Sequence, residues 1–405
     1  MRTRFRRMWS SPLALLACGG LLLSGCARFD GPGTGAGQTF TPAPRPSPEA
    51  PPSIQGPGGA GDKNEKGQPG QPTPVPPPQG CKDFDKAVLA TCLDTVSAVA
   101  GLPGDGSAPS ALAGERKSGR VLLASAGKSA ADFAKLDVDA AGDGGLTGLA
   151  LSPGYAEDQL VFAYVTTPSD NRVVRFARGQ APKPVLTGIP KGATGNRGAL
   201  LPDGKGALLV ATGDAGNAAA AADPNSLAGK VLRIDTSGKA APGNPTGTAM
   251  FASGLHAPGG LCSSADGGRL WATDRLGDKD VIYRLQPGQS LTAPAWSWPD
   301  KPGVAGCADF VDANGFLAIA TSGAGNMQNL PVKPDGSVGG KPSVTLDGKT
   351  GKPPLTYGKL AGMSMINPQI AVAGTVNKDG GNPVSSDDRV VIITPASVNG
   401  GQGKD

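Results

Sequence analysis

The residues able to carry out acid–base chemistry are few, because this chain of 405 residues contains one histidine, His256. A lone histidine most often has a structural, hydrogen-bonded role, and we favour that role over catalysis. Most zinc-hydrolase and Ser-His-Asp arrangements need residues that this chain lacks, and neither a Gly-x-Ser-x-Gly elbow nor a phosphate loop is present. Asp214, in Thr-Gly-Asp-Ala-Gly, is suited either to orient a base or to close an Asx-turn, and we favour the turn.

Cys26 is a second reactive residue, and its context predicts lipid attachment. Four arginines within the first seven residues precede an apolar run over residues 13–23, which leads into Leu-Ser-Gly-Cys. This order is typical of an export signal, and it resembles the lipobox of bacterial lipoproteins, whose cysteine is diacylated after cleavage. An ordinary cleaved signal is the alternative. The run is too short for a retained membrane-spanning helix, so we expect a lipid-anchored protein at the extracytoplasmic face of the cell membrane.

The net charge of the chain limits the classes of partner that it can bind. The formal charge of +5 includes the four arginines before Cys26, so subtracting those four leaves +1, and no basic block follows. Nucleic acid is therefore excluded as an expected partner.

Four cysteines follow Cys26, and an even number in an oxidising compartment predicts two disulfides. We favour the pairs Cys81–Cys92 and Cys262–Cys307; a metal site of four thiolates is the alternative, although no C-x-x-C spacing supports it.

The chain divides by composition into four segments. Residues 1–25 form the signal peptide, and residues 26–80 are rich in Pro, Gly, Gln, Ser and Thr. This second segment has too few apolar side chains to fold, so we predict a lipidated, disordered tether. Residues 81–397 contain short apolar strands separated by Gly, Asp and Pro turns, and residues 398–405 form a flexible tail. Helical periodicity is confined to residues 84–98.

One strand–turn–strand pattern recurs along residues 81–397. Four copies begin at glycines, and weaker copies cover residues 97–125 and 365–394; the glycines are Gly148, Gly198, Gly260 and Gly306. Six units of roughly fifty residues, each too small to bury its own face, predict an all-β fold, a six-bladed β-propeller. Two long β-sandwiches are the alternative, but they would not explain the regular recurrence. The high glycine content suits tight turns and small residues near a central channel.

Much of the chain over residues 93–300 resembles the glucose/sorbosone dehydrogenase family of propellers. Residues 145–155 are similar to the family's GLLGLALHPDF motif, residues 170–176 to its DNRVVRY strand, and residues 212–235 to TGDAG followed by NSLAGKILRID. The resemblance implies a quinoprotein aldose dehydrogenase that uses pyrroloquinoline quinone (PQQ) and calcium. Together with the lipobox and the tether, it makes the chain similar to the LppZ-type lipoproteins of actinobacteria.

The chain departs from this family at the residues that the resemblance makes functional. The family's base histidine falls on Ala193, which cannot accept a proton, whereas the arginine of the same motif is retained as Arg197. His256 stands where the family has a quinone-contacting arginine. Lys359 replaces one of two arginines that grip PQQ carboxylates, and lysine offers no planar bidentate fork. The resemblance thus implies Arg197 and Lys359 as cofactor-binding residues and Asp214 as the catalytic-region carboxylate in register with the family. His256 is a candidate replacement base, which makes Asp214 and His256 the candidate catalytic residues.

Two acidic pairs complete the set of residues with chemical potential. They are Asp278 with Asp280 and Asp387 with Asp388. Either pair could hold calcium, but we favour solvated turns, and the metal site stays unassigned.

Three functional hypotheses follow from these observations. The first is a non-catalytic, cofactor-free propeller that binds a sugar or a protein of the cell envelope. The second is a PQQ- and calcium-dependent aldose dehydrogenase with a rearranged site, in which Asp214, His256, Arg197 and Lys359 take over. The third is a structural role in envelope assembly. We favour the first, because a binding or catalytic site can decay while its scaffold persists.

Overall fold

The computed structural model describes residues 75–349 and 356–398, which form an all-β ring of six blades. The predictions for the signal peptide, for Cys26, for most of the tether and for the tail from residue 399 lie outside the described residues. Within the described ranges, no helix has both the length and the apolar character needed to cross a membrane.

The ring is built from short strands and four single-turn helices. The strands, in chain order, are β1 (Val88–Ala90), β2 (Val96–Gly101), β3 (Ser110–Glu115), β4 (Arg120–Ser125), β5 (Ala131–Lys135), β6 (Leu146–Leu151), β7 (Val161–Thr166), β8 (Asn171–Phe176), β9 (Lys183–Ile189), β10 (Gly198–Pro202), β11 (Leu208–Thr212), β12 (Lys230–Ile234), β13 (Met250–Ser253), β14 (Pro258–Ser263), β15 (Leu270–Arg275), β16 (Asp280–Arg284), β17 (Gln289–Ser290), β18 (Trp296–Trp298), β19 (Val304–Asp309), β20 (Phe316–Thr321), β21 (Met327–Pro331), β22 (Ser343–Thr345), β23 (Leu360–Asn367), β24 (Ile370–Thr375) and β25 (Val390–Ile393). The helices are α1 (Tyr155–Asp158), α2 (Ala218–Ala222), α3 (Val311–Asn314) and α4 (Pro395–Val398).

Each blade is a mainly antiparallel sheet whose first three strands follow one another in chain order. Blades 1 to 5 begin at β2, β6, β10, β14 and β19, and blade 6 begins at β23. The six first strands contact one another in sequence around the ring, and β23 returns to β2. They therefore form the inner wall of a central channel. Four of the recurring sequence patterns are the first two strands of blades 2 to 5, and the weaker copies are blades 1 and 6. The propeller prediction is confirmed, and the sandwich alternative is wrong.

The ring is closed by strand β1, which comes from the start of the described chain and completes blade 6. Val88 lies opposite Val391, so β1 pairs antiparallel with β25, the last strand. Just before β1, Asp83 accepts hydrogen bonds from Ser386 Oγ at 2.8 Å and from Arg389 Nη1 at 3.2 Å. This arrangement joins the two ends of the described chain across one sheet and covers an edge that would otherwise be open.

Residues 84–98, the segment with helical periodicity, do not form a helix. Strand β1 and the start of β2 occupy this segment, and Cys92 and Thr95 between them have φ values of 55° and 50°. Two left-handed residues so close together are incompatible with a right-handed helix. The apolar side chains that mimic helical spacing, Leu89 and Leu93, instead pack in the cluster between blades 6 and 1.

The hydrophobic core consists of six clusters, one at each junction between neighbouring blades. Strand β11 shows how the sequence builds them. Leu208 and Val210 pack toward blade 2, whereas Leu209 and Ala211 pack toward blade 4. Because successive side chains of a strand point to opposite faces, a continuous apolar strand supplies both junctions.

Small residues allow the inner strands to approach closely, as the glycine content predicted. A Cβ atom at Gly306 would lie 2.4 Å from the backbone nitrogen of Met363 in the next blade. A Cβ atom at Gly362 would lie 2.6 Å from the carbonyl oxygen of Ser97. A larger residue at either position would push the blades apart.

Both favoured disulfides are present, so the hypothesis of a four-thiolate metal site is wrong. Cys81 is bonded to Cys92 near the start of the described chain. Cys262 on β14 is bonded to Cys307 on β19, which links the first strands of blades 4 and 5.

Candidate functional site

Ionisable side chains concentrate at one end of the central channel, which we call the site mouth. It consists of the loops that precede the first strand of each blade and those that join the second strand to the third. In blade 3, Gly198 pairs with Thr212, so the loops before β10 and after β11 lie at the same end of the sheet. The loops that join first to second strands form the opposite mouth. All the site residues considered from the sequence, other than the cysteines, lie in or next to site-mouth loops.

The structure brings the two candidate catalytic residues into direct contact. Asp214 follows β11 and His256 precedes β14, and the Asp214 Oδ2 and His256 Nδ1 atoms are 2.8 Å apart. The other oxygen of Asp214, Oδ1, accepts the backbone amide of Gly216 at 2.8 Å. The Asx-turn predicted for Asp214 is therefore present, and the same carboxylate also holds the imidazole.

The imidazole of His256 is oriented so that its second nitrogen is available. The side chain is 37% exposed, and its Nε2 atom makes no hydrogen bond to any of the described residues. When Nδ1 carries the proton and donates it to Asp214, Nε2 presents a lone pair. Such a nitrogen can accept a hydrogen bond or a proton from a bound hydroxyl group.

The backbone around His256 is held by a second carboxylate, that of Asp274 at the end of β15. The Asp274 oxygens accept the backbone amides of His256 at 2.9 Å, Ala257 at 2.7 Å and Arg275 at 3.1 Å. The His256 carbonyl in turn accepts the amide of Asp214 at 2.8 Å. Burial raises the pKa of Asp274 to about 7, although the amide donors act in the opposite direction. Asp274 thus fixes the backbone that carries the imidazole.

Arg197, which the family resemblance singled out, lies next to this pair in the fold, and its guanidinium has no hydrogen-bond partner among the described residues. Its carbonyl accepts the amide of Gly213, the residue before Asp214, at 3.0 Å. The guanidinium Nε atom is enclosed and makes no hydrogen bond within the described residues. Burial lowers the pKa of Arg197 below the usual arginine value, while the charge of Asp143 acts to raise it. An enclosed, unpaired cation is costly in a folded protein unless something binds it.

Two further arginines at the site mouth are bound within the protein. Arg116 donates to the carbonyl of Gly144 at 2.9 Å and to Asp379 Oδ2 at 3.0 Å. Arg275 donates to the carbonyl of Val304 at 2.7 Å, and its pKa falls to about 9 because of burial and then because of the positive charge of Arg197. These arginines therefore link neighbouring blades.

Sequence reasoning missed four residues of this mouth, namely Arg116, Asp143, Asp274 and Arg275. Asp143 accepts the backbone amides of Gly195 and Asn196 at 3.0 and 3.1 Å and so shapes the loop that carries Arg197. A signal existed in the repeats. Arg116 and Asp274, like Asp214, stand at or just after the end of a second strand, the same position in three different blades.

Lys359, the other implied cofactor-binding residue, lies apart from the pair. It precedes β23, and its Nζ atom donates to the carbonyl of Gly380 at 2.8 Å. It lines a cavity of about 390 Å³ with Tyr357, Asn377 and Arg389, and neither Asp214 nor His256 belongs to that cavity. Ala193 is exposed in the loop before β10, so nothing at this position replaces the missing histidine.

The acidic pairs are not solvated turns, with the exception of Asp278. Asp280 is buried and accepts the amides of Gly303 at 2.6 Å and Val304 at 3.0 Å. Asp387 and Asp388 are also buried. Asp387 is paired with Arg389 at 2.8 Å, and Asp388 accepts the amide of Asn377 at 2.6 Å. The three buried carboxylates are therefore committed to the fold. Over residues 75–349 and 356–398, no group of three or more His, Cys, Asp or Glu side chains is arranged to hold a metal.

The opposite mouth has a different lining. A cavity of about 950 Å³ opens there between the first-to-second-strand loops of the blades, and no lysine or arginine lines it. Leu149, Leu200 and Met363 contribute apolar surface. Asp309 also lines it, but this carboxylate is paired with Arg269 at 3.2 Å and accepts Trp271 Nε1 at 3.1 Å.

Solved structures of sugar dehydrogenases are similar to this fold over nearly their whole length. The PQQ-bound form of aldose sugar dehydrogenase from Streptomyces coelicolor is 28% identical, with a TM-score of 0.67 over 79% of this chain and 99% of that chain. An oxidoreductase described as a glucose dehydrogenase, from Thermus thermophilus, is 27% identical, with a TM-score of 0.66 over 76% of this chain and 98% of that one.

Sequence comparison points to the same group. Aldose sugar dehydrogenase YliI of Escherichia coli (strain K12) is 28% identical over 184 residues, which cover 40% of this chain. The match spans about half, 49%, of the length of that curated relative. Residues 98–302, just over half of the chain, match the family described as Glucose / Sorbosone dehydrogenase. The chain therefore belongs to the glucose/sorbosone dehydrogenase family.

Proposed function

We propose that this protein is a sugar-binding module of the family that has lost quinone-dependent catalysis. The carrying observation is that the site mouth commits its positive charges to the protein itself. Arg116 and Arg275 are bound to carbonyl oxygens, Arg116 also to Asp379, and Lys359 is bound to the carbonyl of Gly380. Only Arg197, among the described cations of this mouth, has a guanidinium with no partner.

These residues do not fit PQQ, which carries three carboxylates. A group of that charge needs several unengaged cations, because each charged hydrogen bond contributes about 1.5–3 kcal/mol. The site mouth offers one. It also holds several carboxylates, and Asp214, Asp274 and Asp379 would repel a trianion. We therefore assign no step to the quinone.

A polyhydroxy ligand with at most one negative charge fits the mouth better than a trianion. His256 Nε2 can accept a hydrogen bond from a sugar hydroxyl, and the carboxylate of Asp214 keeps the imidazole in the tautomer that allows it. The guanidinium of Arg197 supplies donors to sugar oxygens. The backbones of both residues are held in place: the carbonyl of Arg197 accepts the amide of Gly213, and the carbonyl of His256 accepts the amide of Asp214 from the neighbouring blade, so the loops are preorganised.

A second candidate function is an aldose dehydrogenase with a rearranged site. One observation favours it: His256 makes with Asp214 the contact that a base needs, although the family's histidine position is Ala193. In that case His256 Nε2 would take the proton of the sugar hydroxyl, and Asp214 would orient the imidazole and stabilise its charged form.

Calorimetric titration of the full-length protein in detergent tests the first proposal. We expect D-glucose or a related aldose to bind, and we expect His256→Gln and Asp214→Asn to weaken binding by about tenfold, the equivalent of one hydrogen bond. Gln369→Ala, an exposed residue of the opposite mouth, is the matched control. Absence of binding by any aldose would contradict the proposal.

Absorbance and dye reduction separate the two candidates. With PQQ, calcium and glucose added, we expect neither a bound-quinone spectrum nor turnover. Turnover that is lost in His256→Ala would establish the dehydrogenase instead.

The location of the protein is also a proposal, and it rests on the sequence before the propeller. The lipobox at Cys26 and the Pro/Gly-rich segment up to residue 80 support a lipid-anchored propeller of the LppZ type on the extracytoplasmic face of the membrane. Cys26→Ala should move the protein from the membrane fraction to the soluble fraction of an expressing bacterium. Unchanged membrane association would count against a lipid anchor.

A further inference from the structure

Arg197 differs from every other arginine that the structure describes. Each of the other ten donates at least one side-chain hydrogen bond, for example Arg116 to Gly144 and Arg275 to Val304. The guanidinium of Arg197 makes no hydrogen bond or ion pair within the described residues, and its Nε atom is enclosed. Because the fold provides hydrogen-bond acceptors for the other ten arginines, we expect Arg197 to bind a group outside the chain.

The surroundings of Arg197 favour an anion. Asp143 is the carboxylate whose charge acts on it most strongly, but its oxygens are occupied by the amides of Gly195 and Asn196. Arg116 in blade 1 and Arg275 in blade 4 add positive charge. Guanidinium groups bind carboxylates in a planar, two-point arrangement, and this is the strongest pairing available to them.

The same surroundings limit the ligand to one negative charge. Asp214 and Asp274 lie next to the segment that carries Arg197: the amide of Gly213 donates to the carbonyl of Arg197, and the next amide, that of Asp214, donates to His256. Two or more anionic groups on a ligand would meet these carboxylates at close range. A single carboxylate on a polyhydroxy body meets both requirements.

We propose that the site mouth binds an acidic monosaccharide, a uronate or an aldonate, whose carboxylate pairs with Arg197 while a hydroxyl donates to His256. This inference rests on the sugar-binding function proposed above and names the class of sugar. Arg197 selects the acid, and the pair formed by His256 and Asp214 recognises the hydroxylated body.

Competing titrations of the full-length protein with D-glucuronate, D-gluconate and D-glucose test this assignment. We expect at least one acid to bind about tenfold or more tightly than glucose. We also expect a rise in NaCl from about 20 to 500 mM to weaken the binding of the acid but not the binding of glucose. Arg197→Gln should weaken the acid about tenfold more than it weakens glucose, and so remove the preference. Arg175→Gln is the matched control, because Arg175 lies on β8 and donates to Thr236 away from the mouth.

The outcomes distinguish this inference from the function on which it rests. Equal binding of acid and glucose, without salt dependence, would overturn the inference and leave sugar binding intact. A preference for the acid that persists in Arg197→Gln would also overturn it, because another group would then hold the carboxylate. Should that variant fail to fold, Arg197→Lys and the salt dependence of the unmodified protein test in its place whether Arg197 holds the carboxylate. Binding of neither acid nor glucose would overturn both proposals.

Discussion

The two mouths of the central channel are made by the same six inner strands, yet their charged side chains make different interactions. At the site mouth, carboxylates and guanidinium groups from separate blades bind backbone groups and one another, and Arg197 finds no partner in the part of the chain that the structure describes. At the opposite mouth, the larger cavity has no cationic lining, and its buried acid, Asp309, is tied to Arg269 and Trp271.

Loop length explains part of this difference. The connections that join first to second strands at the opposite mouth are short turns, in which the acid closes the turn. Asp203 accepts the amides of Lys205 and Ala207, for example. Two connections at the site mouth, residues 213–229 and 376–389, are longer than these. In a longer loop, fewer side chains are needed to close the turn, so the remaining side chains can contact a ligand. The comparison teaches that stability and recognition are divided between the two ends of the ring.

Removal of the disulfide at the opposite mouth should have the largest effect on stability. The Cys262–Cys307 bond closes a separation of 45 residues, and its loss in Cys262→Ser with Cys307→Ser should cost about 4 kcal/mol in unfolding free energy. Sugar binding by the folded variant should stay within about twofold. Denaturant unfolding and calorimetry measure the two quantities. The matched control, Cys81→Ser with Cys92→Ser, should cost about 3 kcal/mol, since its separation is 11 residues. A large loss of affinity in the first variant would mean that the mouths are coupled.

Substitution of Lys230 tests whether a buried charge also stabilises the site mouth. This lysine is fully buried, and its Nζ atom donates to three carbonyl oxygens, those of Ala220, Ala221 and Ala228, each at 2.8 Å. Lys230→Met would leave these oxygens without a donor and should lower the unfolding free energy by about 3 kcal/mol. It should also weaken sugar binding, because these carbonyls lie in the loop that begins at Asp214. The exposed Lys205→Met is the control, with an expected change below about 0.5 kcal/mol. Equal effects of the two variants would contradict the assignment.

Asp274 should make stability depend on pH through the site mouth. Its pKa of about 7 in the folded protein exceeds the value of about 3.9 in an unfolded chain. The folded state therefore binds the proton more tightly, and the contribution of Asp274 to stability, complete below pH ~4, should be lost as the pH rises to about 7. The slope should reach at most about 1.4 kcal/mol per pH unit. Denaturant titrations across this range should show a flatter profile for Asp274→Asn. A profile identical to that of the unmodified protein would place the titrating group elsewhere.

The smallest effect is expected at the rim of the opposite mouth. Gln369 is exposed there, and its side chain makes no hydrogen bond to the described residues. Gln369→Ala should change the unfolding free energy by less than about 0.5 kcal/mol and leave sugar affinity unchanged. A clear loss of affinity would show that ligand recognition extends to this end of the channel, and the contrast between the mouths would then fail.

Much of the ring was predictable because its determinants are local. The alternation in β11 and the returning strand–turn–strand pattern follow from side-chain period and turn chemistry. The exception, residues 84–98, shows where local pattern misleads. Leu89 and Leu93 have a helical spacing, but pairing of β1 with β25 and two left-handed residues override it. Both partners of that pairing come from opposite ends of the described chain, which no local pattern reveals.

The sequence alone determined the six-bladed fold, the two disulfides and the identity of Asp214, His256 and Arg197 as residues of interest. Only the tertiary structure decided which side chains meet. Asp214 and His256 are 42 positions apart and Arg116 and Asp379 are 263 positions apart, yet each pair is in contact, because closing the ring brings loops of neighbouring blades to one channel end. Among the described residues Arg197 has no partner, and the carboxylate that acts on it most strongly, Asp143, is bound to the amides of Gly195 and Asn196.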